Sequence, residues 1–421
     1  MKKRFRRLVV FITLMSMIMA FTVPVTAQDD VQSLTPENIY ENVDPNGPLD
    51  TDVPGDPDLP IVPVQPDEPV IEPGFHCDAE GNVTYYDENG VMAGGWRTIN
   101  DKRYYFSTST GVMAKGWRTI NDKKYYFSTS TGVMAKGWRT INDRRYYFST
   151  STGAMAKGWR TIGGYKYFFS KQSGAMLKGI YRIGDYRYFF SRVSGRMLTG
   201  LVKSRGNVYN IDSRGRIQRT IYGSKKAVAL TYDDGPASGT KSIVKVLKDN
   251  NSVATFFVVG NRADIYSDSI KAASNAGCQI GCHTYSHPWL STLSPSGISS
   301  QIKRGCSAVK RITGTSPTVC RTPGGETGST IRNNVGMPII LWSVDTRDWA
   351  TQDADSTYSA VINHVSDGDI VLMHDLHSST ATASKRIIPK LRKMGYQLVT
   401  VEELALLKGV NLKAGKVYYK F

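Results

Sequence analysis

From Gly95 a 21-residue motif recurs: GWRTINDKRYYFSTSTGVMAK, GWRTINDKKYYFSTSTGVMAK and GWRTINDRRYYFSTSTGAMAK follow one another, and looser copies keep the period. Its lead aromatic falls at Trp96, Trp117, Trp138 and Trp159, then becomes Ile180 and Leu201. A unit this short cannot close a core alone and must bury its apolar face on the next copy, so the segment has to be a solenoid with degenerate ends as caps. Within each unit WRTI and RYYF are strand-favouring runs split by Asn-Asp or Gly-Gly, the chemistry of a two-residue hairpin turn. The expected architecture for residues 74–223 is therefore a β-hairpin solenoid.

At 421 residues the chain exceeds what one core organises, so further units are expected. It opens with Lys2, Lys3, Arg4, Arg6 and Arg7, an apolar run from Leu8 to Val25, and Val25-Thr26-Ala27. That order is the pattern of a secretory signal over residues 1–27. The run also approaches the ~20 residues of a bilayer span, so cleavage after Ala27 and an uncleaved anchor both stand, the latter being the one route to a membrane. Either exports the rest, giving a secreted, wall-associated protein. Residues 28–73, Pro-rich with 12 acids and no Lys or Arg, read as a disordered, self-repelling spacer.

The net charge of +17 is concentrated in the repeats, where 25 bases face 9 acids; residues 224–421 carry 23 against 15. Outside the cell a basic face meets anionic wall polymers, teichoic acid among them, or simply keeps the protein soluble; nucleic acid is excluded as a partner by compartment. Five cysteines, Cys77, Cys278, Cys282, Cys306 and Cys320, are too few and too odd in number for a disulfide scaffold. They read as small buried hydrophobes, with a Cys282–Cys320 bridge between neighbouring strands as an option.

Beyond Gly223 the period stops, and strands near 227–233, 253–260, 279–284, 318–321, 339–345, 369–374 and 397–401 alternate with helical segments. Such βα units build a parallel sheet whose chemistry collects at the C-terminal strand ends. TYDDGP ends the first strand in Asp233 and Asp234, which alone could be a turn or helix cap. HTYSH ends the third in His283 and His287, and Pro288 disfavours a helix there. Two histidines and one of the two carboxylates make a site for zinc or a similar divalent ion with open positions. His364 and His76 read as structural. Three further fragments, Arg321-Thr322-Pro323-Gly324-Gly325, Asp345-Thr346-Arg347-Asp348-Trp349 and Ile370–His374, also lie at predicted strand ends.

In this order the five motifs resemble the polysaccharide deacetylases of carbohydrate esterase family 4, the NodB-homology group, over about residues 225–405. The resemblance implies a deformed (β/α) barrel for 224–421, and a multidomain chain overall. It implies that Asp234, His283 and His287 hold the metal, zinc first, with cobalt or another divalent ion as alternatives. Asp233 would be the base, His374 the acid, Arg321 would orient Asp233 and Asp345 would tune His374. Leu372 and Trp349 would line the pocket, and a Gly324 N–H would face the developing oxyanion, although this glycine stands where relatives often carry an aromatic wall. The implied reaction is removal of N-acetyl groups from N-acetylglucosamine of peptidoglycan; other acetylated glycans, and a non-catalytic wall-binding protein, are the alternatives.

The repeats resemble the cell-wall or choline-binding repeats of Gram-positive surface proteins, and more closely the glucan-binding and clostridial toxin variants. The implied ligand rings are Trp117, Trp138, Trp159, Tyr105, Tyr126 and Tyr147, unless they serve only as core. Choline binding normally needs a second tryptophan where Arg103, Lys124, Arg145 and Lys166 stand, so sugar or anionic polymer competes with choline as the ligand.

Overall fold

Asn100 and Asp101 hold φ of 47° and 59°, and Asn121-Asp122 and Asn142-Asp143 repeat those values. Two consecutive positive φ angles make the turn that matches strand twist in a two-residue hairpin. In the computed structural model, which describes residues 71–421, each turn joins such a pair: Gly95–Ile99 with Lys102–Phe106, Gly116–Ile120 with Lys123–Phe127, Gly137–Ile141 with Arg144–Phe148. Two more hairpins follow at 158–169 and 179–190, and a shorter one at 74–86 precedes them. The signal reading of 1–27 and nearly all of the 28–73 spacer lie outside the described residues.

The hairpins stack through their aromatics. Trp96 lies against Tyr125 and Phe127 of the next hairpin, with centroids 4.9 and 5.9 Å apart, and Trp117, Trp138 and Trp159 repeat this with Tyr146, Tyr167 and Tyr188. Each unit also bonds its neighbour's backbone, as Met134 N does to Arg103 O and Met155 N to Lys124 O, both at 2.8 Å. Tyr105, Tyr126 and Tyr147 sit cross-strand from the tryptophans of their own hairpins at 5.1–5.2 Å. Phe106, Phe127, Phe148 and Phe169 are fully buried in the core of the solenoid, and Trp96, Trp117 and Trp138 pack against it from partly buried positions.

The last unit is a meander, Gly200–Ser204, Asn207–Ile211 and Ile217–Ile221. It is packed into the C-terminal unit. Val208 and Ile221 are buried in one cluster with Ala227, Phe257, Ile340, Val399 and Leu404. Arg219 is ion-paired with the buried Glu403, whose Oε1 also accepts from Asn210 Nδ2 at 3.0 Å, and Lys203 donates to Leu407 O at 2.8 Å. Residue 223 is where the sequence period ends, but the hydrophobic core runs across it.

The C-terminal unit is a deformed barrel. Its strands are β1 (Ala227–Asp233), β2 (Thr255–Val258), β3 (Gln279–Cys282), β4 (Ile339–Ile340), β5 (Val344–Asp345), β6 (Ile370–His374), β7 (Gln397–Leu398) and β8 (Val417–Tyr418), the last paired with β4. Parallel pairing runs β3-β2-β1-β6-β5, with β7 beside the start of β1. The ring closes through single bridges, Cys282 to Cys320 and Cys320 to Ile339. The 339–345 stretch therefore pairs on one side through β4 and on the other through β5. The expected strand at 318–321 is reduced to the bridge at Cys320.

All seven residues of β1 are buried, as a strand covered on both faces must be. Val228, Leu230 and Tyr232 pack towards Ile243, Leu247 and Ile387 of the helices, while Ala227 and Ala229 share the second cluster with Phe257 and Ile370. Alternation places Thr231 and Asp233 on the same face as those alanines. All five cysteines are free thiols, so the Cys282–Cys320 bridge does not form. The two sulfurs diverge: Cys282 Sγ turns to Ile302 O at 3.7 Å, and Cys320 Sγ to Pro338 O at 3.5 Å.

Candidate metal and active site

Register brings the polar strand ends together. Asp233 pairs with His374 across β1 and β6, and His283 follows Cys282 at the end of β3, its backbone N bonded to Val258 O at 2.9 Å. Both strands stop abruptly because the next residues leave extended geometry: Asp234 has φ 68°, Thr284 65° and His287 58°. A left-handed backbone costs a non-glycine residue of order 1–3 kcal/mol, and such strain persists where surroundings fix it, typically at sites of function. Here Gln301 Oε1 accepts from Tyr285 N and Ser286 N, both at 3.0 Å, and His287 N donates to Thr284 Oγ1 at 3.0 Å. On the other side Gly235 leaves no room for a Cβ, which would lie 2.1 Å from Oδ1 of the buried Asp375.

Asp234, His283 and His287 offer ligand atoms that all lie within 4.8 Å of one another. Asp234 Oδ1 is 3.2 Å from His283 Nε2 and 3.1 Å from His287 Nε2. His283 Nδ1 lies 2.7 Å from Arg321 O, an obligate acceptor, so Nδ1 carries the proton. In the neutral ring the Nε2 lone pair then faces the Asp234 oxygen, acceptor against acceptor. Asp234 Oδ1 is buried and makes no hydrogen bond. Either a proton or a cation has to sit between them, and two imidazoles with one carboxylate are the donor set of a divalent site with open positions. Burial raises the Asp234 carboxyl, but the two histidines outweigh it and hold it far below the usual range, while Asp234 raises His287.

Asp233 is held otherwise. Arg321, fully buried, donates Nη1 to Asp233 Oδ1 and to Thr231 Oγ1, both at 2.8 Å, and its remaining donors go to Ile340 O and Leu341 O. Burial lowers this guanidinium and Asp233 acts to raise it. Asp233 Oδ2 is left towards His283 Nε2 at 3.9 Å.

His374 corrects one expectation. Its carboxylate partner is Asp348, whose Oδ1 lies 2.8 Å from His374 Nδ1 and whose Oδ2 accepts from His374 N at 2.7 Å. Asp345 pairs with Leu372, two residues below His374 or ~7 Å along the strand, and its Oδ1 accepts from Arg347 N at 2.9 Å. The chain turns through Arg347 at φ 53° before Asp348 opens a short helix, which carries the buried carboxylate back over β6. Burial lowers His374, yet Asp348 and the nearby Asp233 and Asp234 outweigh it and lift the ring to about 9.

Asp233, Asp234, His283, His287 and His374 line a cleft of about 430 Å³ together with Leu372, Trp349, Asp345, Gly324 and Trp289, with Arg321 and Asp348 buried behind them. Sequence reasoning missed Trp289. A Cβ on Gly324, whose φ is 61°, would lie 2.2 Å from the Trp289 ring. The indole therefore supplies an aromatic wall from the opposite loop, in the space that a side chain at 324 would need. Glu326 Oε2 fixes that loop by accepting from Leu290 N at 2.5 Å. The visible signal was a Trp directly after the HTYSHP motif.

The family model for polysaccharide deacetylase matches residues 221–337, and that for the choline-binding repeat matches 93–136, 114–158, 135–179 and 156–201. A peptidoglycan-N-acetylglucosamine deacetylase of Bacillus cereus is 31% identical over 207 residues, covering 47% of this chain and 97% of that protein. The chain belongs to the polysaccharide deacetylase family. A chitin deacetylase of Colletotrichum lindemuthianum is 35% identical over 193 residues, 42% of this chain and 78% of its own length. The peptidoglycan-N-acetylglucosamine deacetylase PgdA of Listeria monocytogenes is 39% identical over 197 residues; the match covers 47% of this chain but only 42% of that relative. The deacetylase family match falls in the barrel, and the repeat match is separate from it.

Proposed function

We propose that this protein is an exported, metal-dependent deacetylase that hydrolyses the N-acetyl group of N-acetylglucosamine in peptidoglycan while its repeats hold it on the wall. The observation that carries this reading is the convergence, in one cleft, of the Asp234, His283 and His287 donor set with an arginine-held Asp233 and an aspartate-held His374. The Listeria monocytogenes and Bacillus cereus relatives are peptidoglycan-N-acetylglucosamine deacetylases, which favours that polymer. The basic repeats, at 25 bases to 9 acids, suit an anionic wall.

A divalent ion in that donor set, zinc first and cobalt next, supplies Lewis acidity and makes a water in the site easier to deprotonate. Asp233 takes the proton from the attacking water. Arg321 holds its Oδ1, leaving Oδ2 as the accepting oxygen, and stabilises the carboxylate. As the carbonyl carbon becomes tetrahedral, the Gly324 N–H at the cleft wall faces the oxygen charge. His374, with Nδ1–H bonded to Asp348, protonates the departing nitrogen through Nε2, so the C–N bond breaks to acetate and a free amine on the sugar. Leu372 and Trp349 bound the space for the acetyl methyl.

Acetate release from peptidoglycan by the wild-type chain, reduced at least ~100-fold in Asp233→Asn, is the expected result; unchanged release in the variant sinks the mechanism. A second reading, another acetylated glycan, has the fungal chitin deacetylase in its favour. Comparison of acetate yields from peptidoglycan, chitin oligomers and acetylated xylan decides between the two.

A further inference from the structure

Three of the four repeat tryptophans have an outer face that is already covered. Arg103 lies over Trp96 at 4.8 Å from the ring centroid, Lys124 over Trp117 at 4.9 Å, and Arg145 over Trp138 at 4.5 Å. A quaternary ammonium would seek those same faces, and it would meet a like charge already there. In the fourth hairpin Lys166 occupies the equivalent position, cross-strand from Thr161 as Arg103 is from Thr98, but it does not cap its tryptophan. Trp159 is accordingly the one exposed tryptophan among the four, at 37%.

A second departure meets it at the same place. The turn glycines Gly153, Gly174, Gly195 and Gly215 each lie against the methionine of the preceding unit, although the last turn is one residue shorter, Gly215 N bonding to Asp212 O where Gly195 N bonds to Ser191 O. The residue ahead of the glycine is Thr152, Ser173 and Ser194 in the first three and Arg214 in the last. Arg214, Lys166 and Arg160 line a cleft of about 310 Å³ with Trp159 and Tyr188, whose rings are 5.0 Å apart. That volume is at the lower end of small-molecule sites, ~300–1,000 Å³. Lys166 and Arg214 have no carboxylate partner among the described residues, and Arg160 is turned to the Trp159 carbonyl at 2.7 Å.

We propose that the cleft at Trp159 is a binding site for an acidic sugar of a wall polymer: the apolar face of the ring packs on the indole, and its carboxylate or phosphate is held by Lys166 and Arg214. The inference rests on the reading of the repeats as wall-binding, and commits it to one cleft and to an anionic ligand in place of choline. Indole and flanking cations each favour such a ligand, the first through apolar contact and the second through charge-assisted hydrogen bonds.

Binding of the full chain to three polymers tests this: glycan strands bearing muramic acid carboxylates, a polymer of phosphodiester-linked N-acetylhexosamine, and neutral N-acetylglucosamine oligomers. The variants are Arg214→Ser, which restores the residue type of the other turns, Lys166→Gln, and Lys136→Ser as a charge-matched control on an exposed lysine. Arg214→Ser and Lys166→Gln are expected to weaken binding to an acidic polymer by about fivefold or more with an unchanged melting temperature, the control by less than about twofold, and choline chloride is expected not to displace the chain. The stronger of the two acidic polymers identifies the source of the charge. Wild-type affinity in Arg214→Ser, release by choline, or equal binding of the neutral oligomer overturns the inference and leaves wall binding standing. Failure of the wild-type chain to bind any wall polymer overturns both.

Discussion

His374 carries the clearest single-residue consequence. Its acid form is the one needed to protonate the leaving nitrogen, and Asp348 and the metal-site carboxylates raise the ring from its ordinary value to about 9. Activity should therefore persist through neutral pH and fall on the alkaline side, at a lower pH than the metal-free ring implies, because an ion in the donor set offsets the carboxylates that raise it. Replacing Asp348 with Asn removes a stabiliser of the imidazolium, so the alkaline limb moves to lower pH, and kcat falls by about 10–100-fold, the usual effect of losing a positioning partner. A pH–rate profile whose alkaline limb does not move would show that Asp348 does not set the acid. Asp345→Asn, remote from His374, should leave that limb in place. Trp289 gives a second residue-level test. Gly324→Ala should lower stability or raise KM because the indole has to move, and adding Trp289→Ala should relieve part of that loss; strictly additive effects would mean that the two positions do not share a wall. Asp233, Asp234, His283, Arg321 and His374 were legible in the sequence because each stands where an apolar run meets polar residues. Asp348 and Trp289 were not, because their places depend on how the chain turns after the strand has ended, through Arg347 at φ 53° and through the left-handed Thr284 and His287.

Among the elements, the meander 200–221 bears on where the barrel begins. The repeat period marked it as the end of the array and divided the chain at residue 223, yet Ile221 and Val208 are buried with barrel residues and Glu403 is held by Arg219 and Asn210. Periodicity reports sequence similarity between units, while a core is defined by what packs, and here the two do not end together. Glu403→Ala should cost about 3 kcal/mol or more, since it strips the partner from Arg219 and also the reciprocal cap with Thr400 at the start of the helix Val401–Lys408. Chemical denaturation measures this; a loss below about 1 kcal/mol would mean that the pair is not part of the barrel's stability. A fragment beginning at residue 224 should likewise be less soluble than one beginning at 199. The hairpins were legible from the Asn-Asp turns and the alternating rings. The bridge at Cys320 in place of a full strand was not, because the apolar run around it gives no sign of how few residues pair.

At the scale of the whole molecule, a basic solenoid runs directly into a deacetylase barrel through a shared core. Attraction between the array and an anionic wall should weaken with salt, as the Debye length falls from ~8 Å at 0.15 M to ~3 Å at 1 M. The full chain should therefore bind purified walls in low salt and release in high salt; retention at 1 M salt would place apolar contacts ahead of charge. Acetate release bears on the central claim most directly. The full chain would be stripped with a chelator, reloaded with Zn²⁺ or Co²⁺, and assayed on peptidoglycan and on N-acetylglucosamine oligomers. Release that is lost on stripping, returns with the ion, and is greater from peptidoglycan is the predicted result. Release that survives stripping, or none from any polymer with the ion demonstrably bound, would contradict the account.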